Sequence, residues 1–258
     1  MRSGTGTQGW NRQSNQTRLG FQACVDLLCY AYDRGIRFID SADMYGSHPH
    51  VAAAAKVVGR ENLTITTKTV AKDLESAKRD IPRIFRELET DYVDILLLHC
   101  MTTAEWPERM RPVMDYLSEW KEQGRIRALG VSCHHFGAFE RAAEEPWVDV
   151  VLARINFDGV HMDERPEHVI RVLRRMHEQG KGIYGMKVVG QKQLASEWRQ
   201  AIKFVFDLDC VHAMTIGMES REEVDRNVDY INSLFESAPP GSVPLRPERP
   251  GLGGTAQT

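Results

Sequence analysis

Tyr92-Val-Asp-Ile-Leu-Leu-Leu-His99 is a short apolar run that ends on a histidine, and Arg125-Ile-Arg-Ala-Leu-Gly-Val-Ser132 is a second that ends on a serine. Between them, residues 111–123 place Val113, Leu117 and Trp120 at helical spacing and stop at Gln123-Gly124. A strand, a helix and a strand joined by a connection of this length make the strands parallel, with the helix covering them. The same rhythm extends both ways. Residues 36–40, 63–68, 148–153, 182–187 and 211–217 read as further strands. Helix-like stretches precede them, including 21–34 (Phe21, Val25, Leu28, Tyr32) and 166–179 (Val169, Val172, Leu173, Met176), which stop at Arg34-Gly35 and Gln179-Gly180. Residues 74–89 also read as helical, with Pro82 either kinking the helix or sitting in its first turn after Asp80.

Strand ends at 40, 68, 99, 132, 156, 187 and 217 recur at intervals of 24 to 33 residues, the period of a βα unit. Right-handed crossovers leave two closures, a doubly wound open sheet or a closed eight-stranded barrel. Near-equal units favour the barrel, with residues 2–7 as the candidate eighth strand. An open dinucleotide sheet would carry Gly-x-Gly-x-x-Gly after its first strand, and Gly4-Thr-Gly6-Thr is too short to be one. The expected fold is α/β, a single-domain (β/α)8 TIM barrel over residues 1–236. Residues 237–258, dense in Pro and Gly, read as a tail.

Composition narrows the function classes. The 258 residues carry 33 Lys+Arg against 36 Asp+Glu, so bulk charge gives no reason to expect a nucleic-acid or anionic-membrane partner. No apolar run approaches the roughly 20 residues of a membrane-spanning helix. Five scattered cysteines lack metal-ligand spacing and read as reduced thiols, and the polar start is unlike a signal peptide. A cytoplasmic location is expected, an export leader removed beforehand being the alternative. Nothing in the sequence fixes an oligomeric state.

In a closed barrel the C-terminal ends of the strands converge on one face. Here those ends are Asp40, Lys68, His99, Ser132, Asn156 and Lys187, polar in every case although their strands are mostly apolar. A barrel fills its interior with Val, Ile and Leu, so consecutive charged tips point to a shared mouth. Tyr45 follows Asp40 by five residues in the loop Ser41-Ala-Asp-Met-Tyr-Gly-Ser47. A phenol is a poor acid at neutral pH, but a neighbouring ammonium such as Lys68 lowers its pKa. Asp40 would hold the lysine, and His99 could donate to a substrate oxygen. Such a cluster suits protonation of a carbonyl oxygen as hydride reaches its carbon.

Gly35-Ile-Arg-Phe-Ile-Asp-Ser-Ala-Asp-Met-Tyr-Gly46, Glu89-Thr-Asp-Tyr-Val-Asp-Ile-Leu-Leu-Leu-His99 and Lys121-Glu-Gln-Gly-Arg-Ile-Arg-Ala-Leu-Gly-Val-Ser132 resemble three successive motifs of the aldo-keto reductase superfamily, and the match runs collinearly over residues 4–230. The resemblance implies a (β/α)8 barrel that binds an extended nicotinamide cofactor without a Rossmann domain. It also implies a tetrad in which Tyr45 is the general acid, Lys68 and Asp40 tune it, and His99 orients a small-molecule carbonyl substrate. Relatives begin with residues that cap the barrel bottom. Here Gly4-Thr-Gly-Thr arrives almost at once, so those capping residues are missing from this sequence and the first strand is expected to be incomplete.

On the cofactor side, Ser132 stands where the family binds the nicotinamide carboxamide, Cys133 replaces the usual Asn, and Leu152 replaces a Gln while Asn156 remains. Met186 stands where an aromatic ring commonly stacks, beside Lys187. At the adenosine end Gly217, Ser220 and Asn227 fit the family. Glu219 and Glu223 stand where basic or hydroxyl groups usually hold a 2′-phosphate, with Arg221 and Arg226 at shifted positions. On the ground of the family resemblance NADPH is the expected cofactor, with NADH the alternative. Trp106, Phe157 and Met162 either line an apolar substrate pocket or pack the core.

Two other classes compete. His48, His50, His99, His134 and His135, with Asp40 or Asp43, form a candidate ligand set for a metal-dependent hydrolase, although His48-Pro-His50 reads as a loop and no His-x-His follows the first strand. No metal is expected on the reductase reading. The cofactor-side departures motivate the second alternative, a nicotinamide-nucleotide sensor or accessory subunit with little turnover.

Overall fold

The computed structural model describes residues 1–6 and 12–237. The tail beyond Ser237, and Thr7 of the candidate eighth strand, lie outside the described residues. Seven parallel strands run in sequence order, each hydrogen-bonded to the next. They are β1 (Phe38–Asp40), β2 (Thr64–Thr69), β3 (Val93–Met101), β4 (Ile126–Cys133), β5 (Val150–Arg154), β6 (Gly182–Met186) and β7 (Ala213–Met214). Helices α1 (Asn15–Arg18), α2 (Phe21–Asp33), α3 (His48–Val58), α4 (Leu74–Leu88), α5 (Trp106–Glu122), α6 (Phe136–Glu144), α7 (Pro166–Glu178), α8 (Trp198–Phe206) and α9 (Arg221–Ser237) surround them. This is the (β/α)8 architecture that the spacing predicts.

Strand alternation separates two apolar layers. Leu97, Val150, Leu152, Tyr184 and Met186 fill the inside of the barrel, with Phe38, Ile95, Ala128 and Ala213 packed against them. The intervening residues, including Leu96, Leu98, Leu129, Val131 and Ile183, point outward into the larger core beneath the helices. Gly130 is a glycine because β4 and β5 meet closely there: a Cβ would stand 1.8 Å from the Val150 carbonyl oxygen.

Among the described residues, one residue bridges the eighth position. Arg2 makes a parallel bridge to Asp40 on one side and to Gly217 on the other. Its N–H donates to the Ile216 carbonyl at 3.0 Å, and the Ser3 N–H donates to the Asp40 carbonyl at 2.8 Å. Gly217 is consumed by this seam, because a Cβ there would meet Thr5 Cγ2 at 2.1 Å.

Two local expectations change. His48-Pro-His50 is the first turn of α3, not a loop, since proline at the start of a helix gives up an N–H that has no intrahelical partner anyway. The α4 helix begins at Leu74, where Asp73 and Ser76 form a reciprocal cap, so Pro82 lies well inside it. Burial of Ala77, Ile81, Ile84, Phe85 and Leu88 against the barrel holds the helix through the proline. Trp106 proves to be core: it is buried, and its indole N–H donates to the Ala138 carbonyl at 3.1 Å.

Candidate active site

Asp40 ends β1, Lys68 lies near the end of β2 and His99 near the end of β3, so parallel register carries all three to one end of the barrel. Tyr45 reaches the same place from the short 3-10 turn Asp43–Tyr45. That turn is anchored from outside the barrel. Arg83 of α4 donates to both carboxylate oxygens of Asp43, at 2.8 and 2.7 Å, and to Glu87 at 2.9 Å. Arg12 donates to the Asp43 carbonyl and pairs with Glu87, while His48 bridges Glu87 at 3.0 Å and Thr67 Oγ1 at 2.8 Å. Burial raises the Glu87 carboxyl, but hydrogen bonds from His48, Arg12 and Arg83 outweigh it and hold the group below the usual carboxylate range.

The reacting end is nearly closed to solvent: Asp40 and Lys68 are fully buried, Tyr45 is 2% exposed and His99 8%. Lys68 Nζ donates to Asp40 Oδ1 and to the Ser41 carbonyl, each at 2.6 Å. The Tyr184 hydroxyl donates to the same Asp40 oxygen at 3.0 Å. The ammonium sits 5.0 Å from the Tyr45 ring centroid, and the rings of Tyr45 and His99 meet edge to face at 6.0 Å. The Tyr45 hydroxyl oxygen accepts a hydrogen bond from the Arg2 guanidinium.

Burial drives the electrostatics. It pushes the Tyr45 phenol well above its ordinary range, an effect the Arg2 cation opposes, so the hydroxyl stays protonated at neutral pH. It pulls the Lys68 ammonium down to about 8 against the attraction of Asp40. His99 is held well below its usual value by burial and then by Lys68 and Arg2, so its imidazole is neutral, and its Nδ1 has no hydrogen-bond partner. The cluster therefore combines a protonated phenol, a neutral imidazole and a paired ammonium, the set needed to give a proton to a carbonyl oxygen.

Around this centre the expected cofactor residues divide. The Ser132 hydroxyl oxygen accepts the Cys100 N–H at 2.9 Å, which leaves its own proton to donate. Lys187 is drawn down to about 8 by burial and by the nearby cations Arg2 and Arg154. Cys133 does not reach the mouth. It faces outward and packs with Phe136, Phe139 and Val169 under α6 and α7, as the strand alternation that sends Ser132 inward requires. Asn156 is committed to backbone of two loops: its amide donates to the Val160 and Lys187 carbonyls, and its oxygen accepts from the Asp158 and Gly159 N–H groups. Met186 belongs to the apolar filling of the barrel.

At the far end the Ser220 hydroxyl accepts the Glu223 N–H at 3.3 Å beside the start of α9, and Asn227 is buried. The Arg221 guanidinium lies over the Tyr30 ring and that of Arg226 over Trp198. Glu219 accepts from the Asn15 amide at 2.7 Å.

Sequence reading missed three participants. Arg2 touches the phenol, Tyr184 touches Asp40, and Arg154 donates to His134 Nδ1, so the proton on His134 sits at Nε2 and faces Cys100 Sγ at 3.5 Å. Alternation alone offered a signal for Arg2, because it shares a strand face with Gly4, and a Cβ at Gly4 would lie 2.4 Å from Tyr45 Cβ.

The histidines of the metal alternative do not gather. Among the described residues the one group of potential ligands is Asp43, His48 and Glu87, and Arg83 and Arg12 already supply its positive charge.

Fold and site together define a barrel-type carbonyl reductase. The Aldo/keto reductase family profile matches residues 3–201, and the chain belongs to that family. Methylglyoxal reductase DkgA of Yersinia pestis is 26% identical over 208 residues, covering 74% of this chain and 68% of that protein. An NADH-specific methylglyoxal reductase of Escherichia coli is 26% identical over 175 residues, covering 58% and 51%. The holo form of aldo-keto reductase AKR11C1 from Bacillus halodurans shares the fold at a TM-score of 0.70 and 18% identity, with 82% of each chain covered. The protein is an oxidoreductase that reduces a carbonyl with NADPH or NADH. No helix among the described residues is long and apolar enough to cross a membrane.

Proposed function

We propose that this reductase acts on small aldehydes and ketones, 2-oxoaldehydes of the methylglyoxal kind foremost. In this reading residues 1–236 form the catalytic domain, Tyr45 is the general acid, Lys68 and Asp40 set its acidity and position, and His99 orients the carbonyl. One observation carries it: four separate elements deliver Asp40, Tyr45, Lys68 and His99 to one buried cluster with the phenol protonated and the imidazole neutral. The names of the two curated relatives support the substrate class.

The donor set fits a dinucleotide. Ser132 has a hydroxyl proton to give a carboxamide, and Lys187, crowded by Arg2 and Arg154, gains from a phosphate counter-charge. Ser220, Arg221, Arg226, Gly217 and Asn227 would lie along the adenosine end, and Met186 supplies apolar packing. When bound, the nicotinamide supplies the hydride. NADPH is the proposed donor because Arg221 and Arg226 lie in the first two turns of α9, while Glu219 and Glu223 favour NADH. Parallel fluorescence titrations with both nucleotides decide between them.

The decisive assay is NADPH oxidation with methylglyoxal and a panel of larger aldehydes. Tyr45→Phe is expected to lower kcat by about 100-fold or more. Nucleotide binding without turnover on any carbonyl would instead make the protein an accessory subunit.

A further inference from the structure

We propose that Arg2 is a fifth member of the site, a positioning residue that holds the Tyr45 hydroxyl and leaves its proton free for the substrate. The proposal rests on the reading of Tyr45 as general acid and assigns to a residue outside the expected tetrad the task of gripping that acid.

A guanidinium only donates hydrogen bonds, so in the Arg2–Tyr45 contact the phenol oxygen is the acceptor and its proton is uncommitted. Lys68 donates instead to Asp40 and the Ser41 carbonyl, with its ammonium 5.0 Å from the Tyr45 ring centroid. Arg2 is itself held on several sides. Its Nε donates to the Gly4 carbonyl at 2.8 Å and lies 3.9 Å from Asp40 Oδ2, its Cζ is 4.8 Å from the Tyr45 ring centroid, and its backbone is pinned between β1 and the segment after β7. The side chain is only 17% exposed, so water screens the contact weakly. Asp40 Oδ2 accepts no hydrogen bond, which leaves Arg2 the charge that faces it.

The groups around the phenol can be named element by element. Arg2 comes from the seam, Asp40 from β1, Lys68 from β2, His99 and Cys100 from β3, and Tyr184 from β6. Burial, Asp40 and Cys100 raise the phenol, and Arg2 opposes them both by charge and by its hydrogen bond. Removing the guanidinium therefore weakens the acid as well as loosening it.

The test replaces Tyr45 by 3,5-difluorotyrosine, a more acidic phenol whose ionisation is followed by absorbance, in full-length protein without cofactor or substrate. In Arg2→Met the midpoint is expected to rise by about one pH unit or more, the size of effect of an opposite charge at this range. Arg2→Lys is expected to recover much of the shift. With natural Tyr45, Arg2→Met should lower kcat about 10- to 100-fold with little change in KM, and Arg2→Lys should restore part of it. An unchanged midpoint in folded Arg2→Met, or a lysine variant no better than methionine, overturns the proposal. If Arg2→Met does not fold, Arg2→Gln takes its place, and a midpoint equal to that of the parent protein in that neutral variant overturns the proposal. Full turnover by Tyr45→Phe would remove the general-acid reading while leaving the titration result intact, so the two failures are separable.

Discussion

Gly4→Ala tests how tightly the general acid is boxed in. A Cβ built on Gly4 lies 2.4 Å from Tyr45 Cβ, 2.5 Å from Cγ and 2.7 Å from Cδ2, whereas ordinary contact begins at 3.4 Å. The tyrosine or the seam must then give by about 1 Å, and a misplacement of that size at a reacting group costs on the order of 100-fold in rate. Tyr45 has little freedom to comply quietly, since Asp43 of the same turn is tied to Arg83 by two hydrogen bonds. Overpacking of this kind also lowers stability by about 1–3 kcal/mol. The measurement is steady-state reduction of methylglyoxal, with kcat and KM resolved separately, alongside a thermal melt. The expected outcome is a large fall in kcat, a small change in KM and a modest drop in Tm. Full kcat in a stably folded Gly4→Ala protein would show that the position of Tyr45 is not set by this contact.

Reduction should decline as pH rises through about 8, where the Lys68 ammonium begins to lose its proton, and a profile flat to pH 10 would contradict that role. The sign for stability is opposite. The folded pKa of Lys68 is depressed by burial, so the penalty for its buried charge is fully present below about 8 and fades as pH rises toward the ordinary value of 10.5. This group therefore predicts activity lost without unfolding, which circular dichroism over the same range checks. Arg83→Met should cost about 2–3 kcal/mol by urea unfolding and reduce kcat, because buried Asp43 loses both donors, and Arg83→Lys should fall between because it keeps the charge without the fork. Gly130→Ala should lower the urea midpoint by an amount worth about 1–3 kcal/mol, since its methyl group meets backbone oxygen rather than a movable side chain.

The barrel, and the gathering of Asp40, Tyr45, Lys68 and His99 at one end of it, were legible because both are written locally. The strands are short runs at βα spacing, and Asp40, Lys68 and His99, each at or near the end of its strand, need only parallel register to meet. Tyr45 was within reach because it follows Asp40 by a single turn. What escaped depends on contacts far apart in sequence. Arg2 meets Tyr45 across 43 residues and Tyr184 meets Asp40 across 144. The cofactor side was less legible for another reason. The amide of Asn156 is taken up by four backbone partners, and Cys133 was misplaced by one step of strand alternation. Arg221 and Arg226 lie over aromatic rings that no spacing rule predicts.

The way the Tyr45 turn is moored has a consequence for how this protein can be altered. Asp43, His48, Glu87, Arg12 and Arg83 fasten the turn to α3 and α4 at the flank, and the loops after β3 and β5 take no part in that fastening. On the proposed function, the turn that carries the acid is thereby held by pieces of chain separate from those two loops. Exchange of segment 102–105 in a grafting library is therefore expected to leave Tyr45 in place, whereas segment 157–165 also carries the partners of Asn156 and Arg154.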